Sequence, residues 1–189
     1  DAEVVQQYGR TLLAGSHNPA SGVSEAQSIA YLGLNYFDLV KQHGEDAAKA
    51  RYEEHACAAF LPIHCMKTLF AKAQPDVLVT TSCPRTEQAA RHVAIDQDIP
   101  VLVIADTPDP YNRLGLNAVQ CDTLCVPSIL GQEKWGQKSW VQFDTAVVTR
   151  NPALDRFAPD IIKRAAFALE RHVILFAQQT GKMADNAIK

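Results

Sequence analysis

No apolar stretch in this chain approaches the roughly 20 residues that a membrane helix needs; the longest runs are strand-sized. A basic segment followed by an apolar one, the mark of a secretion signal, is also missing, so none is expected. Charge of one sign is scarce. The 18 Lys and Arg stand against 21 Asp and Glu, leaving a net charge of −3, and the basic residues are scattered rather than striped. That pattern excludes an electrostatic footprint for nucleic acid. The five cysteines (Cys57, Cys65, Cys83, Cys121 and Cys125) are odd in number and irregular in spacing, unlike a disulfide framework. A reducing compartment is therefore expected, and the cytoplasm is the expected location. Cys121 and Cys125 lack the second pair or neighbouring His that a zinc site requires, so they read as buried, inert thiols and no metal is expected. Neither a Walker loop nor a Gly-x-Gly-x-x-Gly fingerprint is present.

What the chain does have is core material. Its 189 residues are 47% hydrophobic and 21% charged, a globular composition. The first third is helix-rich. "RTLLA" (Arg10–Ala14) is a short apolar run, expected as a strand, that opens into the Gly-Ser-Asn-Pro punctuation of "GSHNPASG". Ser24 is a good N-cap, followed by Ala26, Ile29, Ala30, Leu32 and Gly33 at helical steps. Further helices are expected over Asp46–Ala59 and Pro62–Lys72, with Pro62 suited to a first turn.

After Gln74-Pro75-Asp76 the period changes. "VLVTT" (Val77–Thr81) and "PVLVIAD" (Pro100–Asp106) are continuous apolar runs separated by a helical stretch from Pro84. "TLCVPS" (Thr123–Ser128) and "TAVVT" (Thr145–Thr149) continue the series, with a helix after Ser128. Parallel strands covered on both faces read this way. The expected fold class is α/β: a doubly wound, mostly parallel, Rossmann-like sheet with a helix-rich N-terminal part. A charged helix over Asp160–Arg171 and a strand in "HVILFA" are expected to open a second α/β domain. The expected division is thus 1–155 for the first domain and 156–189 for a linker and the start of the second.

In open parallel sheets, ligands bind beyond the carboxyl ends of the strands, where the strand order reverses. Ser82, Cys83 and Pro84 follow one carboxyl end, Asp106 to Asp109 another, and Gly15 to Gly22 the short run near the start. Neighbouring strands would gather these loops around one crevice. The alternative is ordinary turns, with Ser82 capping a helix and Asp106 and Thr107 forming a bend. His17 is the histidine placed in such a loop, where a neutral imidazole serves as a general base. His55, His64 and His92 fall in helices. "DQD" (Asp96–Asp98) resembles a metal-holding Asp-x-Asp pair, but it precedes a strand and so belongs at the opposite, amino edge. "FAQQTGK" (Phe176–Lys182) follows a strand and precedes a helical segment, a placement whose free N–H groups favour phosphate.

"KAQPDVLVTTSCPRTEQAARHVAIDQDIPVLVIADT" resembles the second half of the N-terminal Rossmann-like domain of GT-B glycosyltransferases, in which a "kPDvv" strand, a helix and a "giPvvvi" strand recur. "QCDTLCVPS" is similar to the strand that follows. "AVVTRNPALDRF" is similar to the "vvvtGNPxxd" junction out of that domain, with Arg150 where Gly is usual. "HVILFAQQTGK" is similar to the start of the donor-binding domain. The resemblance covers about Ala71 to Lys182. It implies transfer of a sugar from a nucleotide-sugar to an acceptor hydroxyl on a carbohydrate or lipid-linked acceptor, with peripheral membrane contact compatible. Acceptor contacts would come from Ser16, Ser82, Cys83, Asp106 and Thr107, and a base from His17. The donor phosphates would lie near Thr180, Gly181 and Lys182. The nucleotide-sugar would be a co-substrate, with no metal required and no other cofactor. This stretch alone is expected to be inactive as a fragment. Competing expectations are a nucleotide-sugar epimerase, a non-enzymatic small-ligand-binding α/β domain, and a partner-binding domain with a degenerate cleft.

Overall fold

The computed structural model describes residues 2–14, 17, 18, 20, 22–105, 107, 110, 118–150 and 173–176. They fall into two compact units, one reaching to Met66 and the other starting at Lys67.

In the first unit, Val4, Val5, Tyr8, Gly9, Leu12 and Leu13 recur at three- and four-residue steps, and Ala2–Leu13 form helix α1. The run Arg10–Ala14, expected as a strand, instead closes this helix. Its apolar residues belong to a 3.6-residue period that starts upstream. Helix α2, Glu25–His43, begins where Ser24 caps it. The Ser24 Oγ accepts from the Gln27 amide at 3.2 Å, and the Gln27 side chain accepts from the Ser24 amide at 2.9 Å, a reciprocal capping box. Helix α3, Glu45–His55, gives way at Ala56 (φ 49°) to a 3₁₀ turn, Ala56–Ala59, so the helix expected to run unbroken to Ala59 does not. Helix α4, Ile63–Ala73, starts in this unit and continues past Met66 into the second.

Helices α1 and α2 meet backbone to backbone. A Cβ on Gly33 would lie 2.0 Å from the Val5 carbonyl oxygen, and one on Gly9 would lie 2.1 Å from that of Ile29. Only hydrogen fits at either position. Beside this crossing, Tyr36, Leu39, Ala48 and Phe60 form a core flanked by Tyr8, Tyr31 and Tyr52. The rings meet edge to face at 5.0 Å for Tyr8–Tyr36 and 5.7 Å for Tyr36–Tyr52, the geometry the ring quadrupole prefers. Buried Asp38 caps the first turn of α4 from α2. Its carboxylate accepts from the Cys65 amide at 2.6 Å, the His64 amide at 3.3 Å and the Gln42 side chain at 2.6 Å.

The second unit is a parallel α/β sheet of Rossmann-like kind. Its strands are β1 (Val77–Thr81), β2 (Val101–Ile104), β3 (Val119–Val126), β4 (Val141–Val148) and β5 (Val173–Phe176), in the spatial order β4-β3-β2-β1-β5. All neighbours are parallel, with Thr81 opposite Ile104, Ile104 opposite Cys125 and Thr80 opposite Phe176. Helix α5 (Thr86–Asp96) packs on β1, β2 and β3 through fully buried Ala89, Ala90, Val93 and Ala94, and α6 (Ile129–Gly136) packs on β3 and β4.

β3 and β4 each begin four residues before the apolar runs that announced them. Gln120 and Asp122 in β3, and Gln142 and Asp144 in β4, are exposed, so the start of each strand alternates instead of reading as continuously apolar. α5 starts at Thr86 rather than Pro84. The helix expected over Asp160–Arg171 lies outside the described residues, as does the boundary near 155. The strand expected to open a second domain pairs with β1.

Replacing Gly33 with Ala should cost about 2 kcal/mol, because a methyl group forced against a backbone carbonyl must push two helices apart. Urea unfolding is expected to show a lower midpoint at unchanged slope. The same change at Gly136, where an added Cβ would come no nearer than 3.9 Å, to Phe143 Cζ, should be neutral or slightly stabilising.

Candidate functional site

Strands β1 to β4 are laid down successively in one direction, and β5 is placed on the far side of β1. The order therefore reverses between β1 and β5, and the rim beyond their carboxyl ends is the switch point where open α/β sheets bind ligands. Two segments expected to carry ligand contacts start there: Ser82-Cys83 leaves β1, and the chain leaves β5 at Phe176. The loop that includes Thr107 leaves the adjacent strand β2 on the same edge.

The turn after β1 is held from beneath by buried charge. Arg91 and Glu87, one helical turn apart on α5, are each 1% exposed. The Arg91 guanidinium donates through Nη1 to Thr80 Oγ1 (3.3 Å) and the Thr81 carbonyl (3.0 Å), and through Nη2 to the carbonyls of Cys83 and Ala118 (3.2 Å each). Glu87 accepts the Thr81 hydroxyl at 2.8 Å, and that oxygen accepts the Cys83 amide at 3.4 Å. Burial lowers the Arg91 pKa to about 10, with Glu87 pulling it back up, so the guanidinium is charged at neutral pH.

Above this clamp, Arg85 adopts φ 68° and ψ −110°, a conformation that costs a side-chain-bearing residue about 1–3 kcal/mol and persists only where its surroundings impose it. Arg85, the N-cap residue of α5, makes no side-chain cap hydrogen bond to that helix. Among the described residues, the buried Nε atoms of Arg85 and Arg91 find no acceptor.

Ser82 is 8% exposed and Cys83 is half-buried beside it. Thr107 is exposed, and its carbonyl accepts from buried Trp135 Nε1 at 3.0 Å, so α6 anchors the turn after β2. Ser82, Cys83 and Thr107 are thus brought to one edge. His17 belongs to the other unit and follows a helix rather than a strand. Ser16, Asp106, Thr180, Gly181 and Lys182 lie outside the described residues. Arg91 and Glu87 were not singled out from the sequence. A Glu four residues before an Arg in a helix reads as a solvated pair, and only the burial of that helix face shows otherwise.

Asp96 ends α5 and Asp98 precedes β2 at the amino edge, where the sequence placed them. A cavity of about 400 Å³ at that edge is lined by Asp98, Asp122, Asp144 and Phe143 among others. The Asp122 carboxylate accepts the Val101 amide there at 2.6 Å. Among the described residues no group of three His, Cys, Asp or Glu side chains is arranged to hold a metal ion.

Burial pushes the Cys121 thiol up to about 12, against the pull of Arg91, and raises Cys125 as well; burial also pushes Tyr52 up to about 12. These groups stay protonated in the folded chain while the unfolded chain releases their protons from about pH 9. Their contribution is therefore complete below that pH and lost as pH rises toward 12. Denaturation midpoints should be level between pH 7 and 8 and fall above about pH 9, and Ellman's reagent should reach Cys121 only after unfolding. Compared with known proteins, the chain matches no family model, no curated protein and no solved structure, so a functional reading has the geometry of this rim and the sequence to stand on.

Proposed function

We propose that the chain is the Rossmann-like portion of a GT-B-type glycosyltransferase, with a nucleotide-sugar held at the β1/β5 switch point. The observation that carries the proposal is the reversal of strand order there, which sets the Ser82–Arg85 turn beside the strand that leads into "AQQTGK". The first turn of α5, with Arg85 next to it, suits the negative charge of a diphosphate.

In the reaction, an acceptor hydroxyl attacks the anomeric carbon, the bond from that carbon to the diphosphate oxygen breaks, and a base takes the hydroxyl proton. The departing nucleoside diphosphate carries the electron pair, and helix N–H groups and Arg85 would stabilise it without a metal. Thr180, Gly181 and Lys182 are the proposed further phosphate contacts. Ser82, Cys83 and Thr107, with Asp106, are the proposed acceptor contacts.

Calorimetric titration with UDP-, GDP- and CDP-sugars, against free sugars, tests this. One nucleotide-sugar is expected to bind, and Arg85→Ala to weaken it about tenfold, as the loss of one charge-assisted hydrogen bond would. Binding of free sugar without nucleotide dependence would favour a small-ligand-binding domain. No binding of either would end the proposal.

A further inference from the structure

We infer that the small cavity beside Arg91 is a binding site for one water molecule, which accepts from the Arg91 Nε–H group and donates to His92 and Gln120. A guanidinium carries five N–H donors in a fixed fork. Four of them are met here: Nη1 donates to Thr80 Oγ1 and the Thr81 carbonyl, and Nη2 to the carbonyls of Cys83 and Ala118. The fifth, on Nε, is buried and finds no acceptor among the described residues. A buried donor on a charged group that stays unmet costs its full desolvation penalty, so this N–H calls for an acceptor.

Size and lining decide which acceptor it is. The cavity measures about 20 Å³ and is lined by Arg91, His92, Ile95, Ala118 and Gln120. That volume holds one water and excludes an organic ligand. A bound water makes two to four hydrogen bonds, and three polar side chains stand around this one. The Nε–H group donates to it, while an imidazole nitrogen and the Gln120 carboxamide oxygen accept its two hydrogens. Burial, with Arg91 adding to it, lowers the His92 pKa, so the imidazole is neutral at pH 7 and keeps a nitrogen able to accept. His92 and Gln120 are exposed whereas Arg91 is buried, which sets the two acceptors at the mouth and the donor at the floor. The water enters between them. A halide in the same place would find the Arg91 charge already balanced by Glu87 on the same helix.

The site does not rest on the nucleotide-sugar proposal, and its test uses the full chain without that ligand. A crystal structure that shows ordered solvent is expected to place a water about 2.9 Å from Arg91 Nε, within hydrogen-bond reach of His92 and Gln120. In solution, the Arg91 Hε proton should show a nuclear Overhauser effect to water with the sign of a long-lived bound molecule. The double variant His92→Leu, Gln120→Leu removes both acceptors at exposed positions, and the effect should then be lost. An Nε–H group bonded to protein instead, a cavity without solvent density, or an Overhauser effect that survives in the double variant would overturn the site. So would an anomalous peak in the cavity after exchange into bromide, which would mark a halide. Should the double variant fail to fold, the crystal structure and the wild-type Overhauser effect decide the question by themselves.

Discussion

A guanidinium taken out of water costs several kcal/mol unless its donors are met, and Arg91 is met by a hydroxyl and backbone carbonyls drawn from β1, the turn after it and the start of β3. That requirement shapes the candidate site. The carbonyls have to converge on one buried fork, so the turn after β1 cannot relax into an ordinary helix start. Arg85 takes up the resulting strain as a left-handed residue. Glu87 balances the charge and fixes the Thr81 hydroxyl, which in turn holds the Cys83 amide. The turn after β1 is thus held at Thr81 and Cys83 by buried charge.

The rim has this position because of the order of the strands. β1 lies between β2 and β5, so its carboxyl end sits where the strand order reverses, the place at which open α/β sheets bind ligands. Trp135 supports the neighbouring loop through the Thr107 carbonyl, so helices α5 and α6 each brace one of the two turns from below. Braces of this kind let a site keep its shape without the ligand. The amino edge, by contrast, presents exposed carboxylates at the starts of β3 and β4.

The first unit solves a different packing problem. Two helices that approach until a Cβ would strike the opposite carbonyl need glycine at the crossing, and Gly9 and Gly33 supply it. The close approach brings Tyr8 against Tyr36, and the aromatic cluster follows. Asp38 then turns the chain into α4 by satisfying the amides of its first turn. Each of these is a local constraint with a residue of the required kind in place.

The sequence alone determined what depends on neighbours along the chain. Ser24 and Ser128 mark helix starts through short-range caps. Val77–Val79 and Val101–Ile104 are unbroken apolar runs, the pattern of covered parallel strands, and in the structure their residues alternate between buried and half-buried. Those runs were enough to place Ser82, Cys83 and Thr107 past carboxyl ends. Only the tertiary structure decided the rest, because it depends on residues far apart in sequence. The early starts of β3 and β4 alternate with exposed polar residues, a pattern that pairing with neighbouring strands resolves and local composition does not. The pairing of β5 with β1, and with it the switch point, joins segments nearly a hundred residues apart. Nothing local in the sequence marked Arg91 and Glu87, each of which is 1% exposed in the folded chain. Burial changes what a charge must do, and burial is a property of the folded whole.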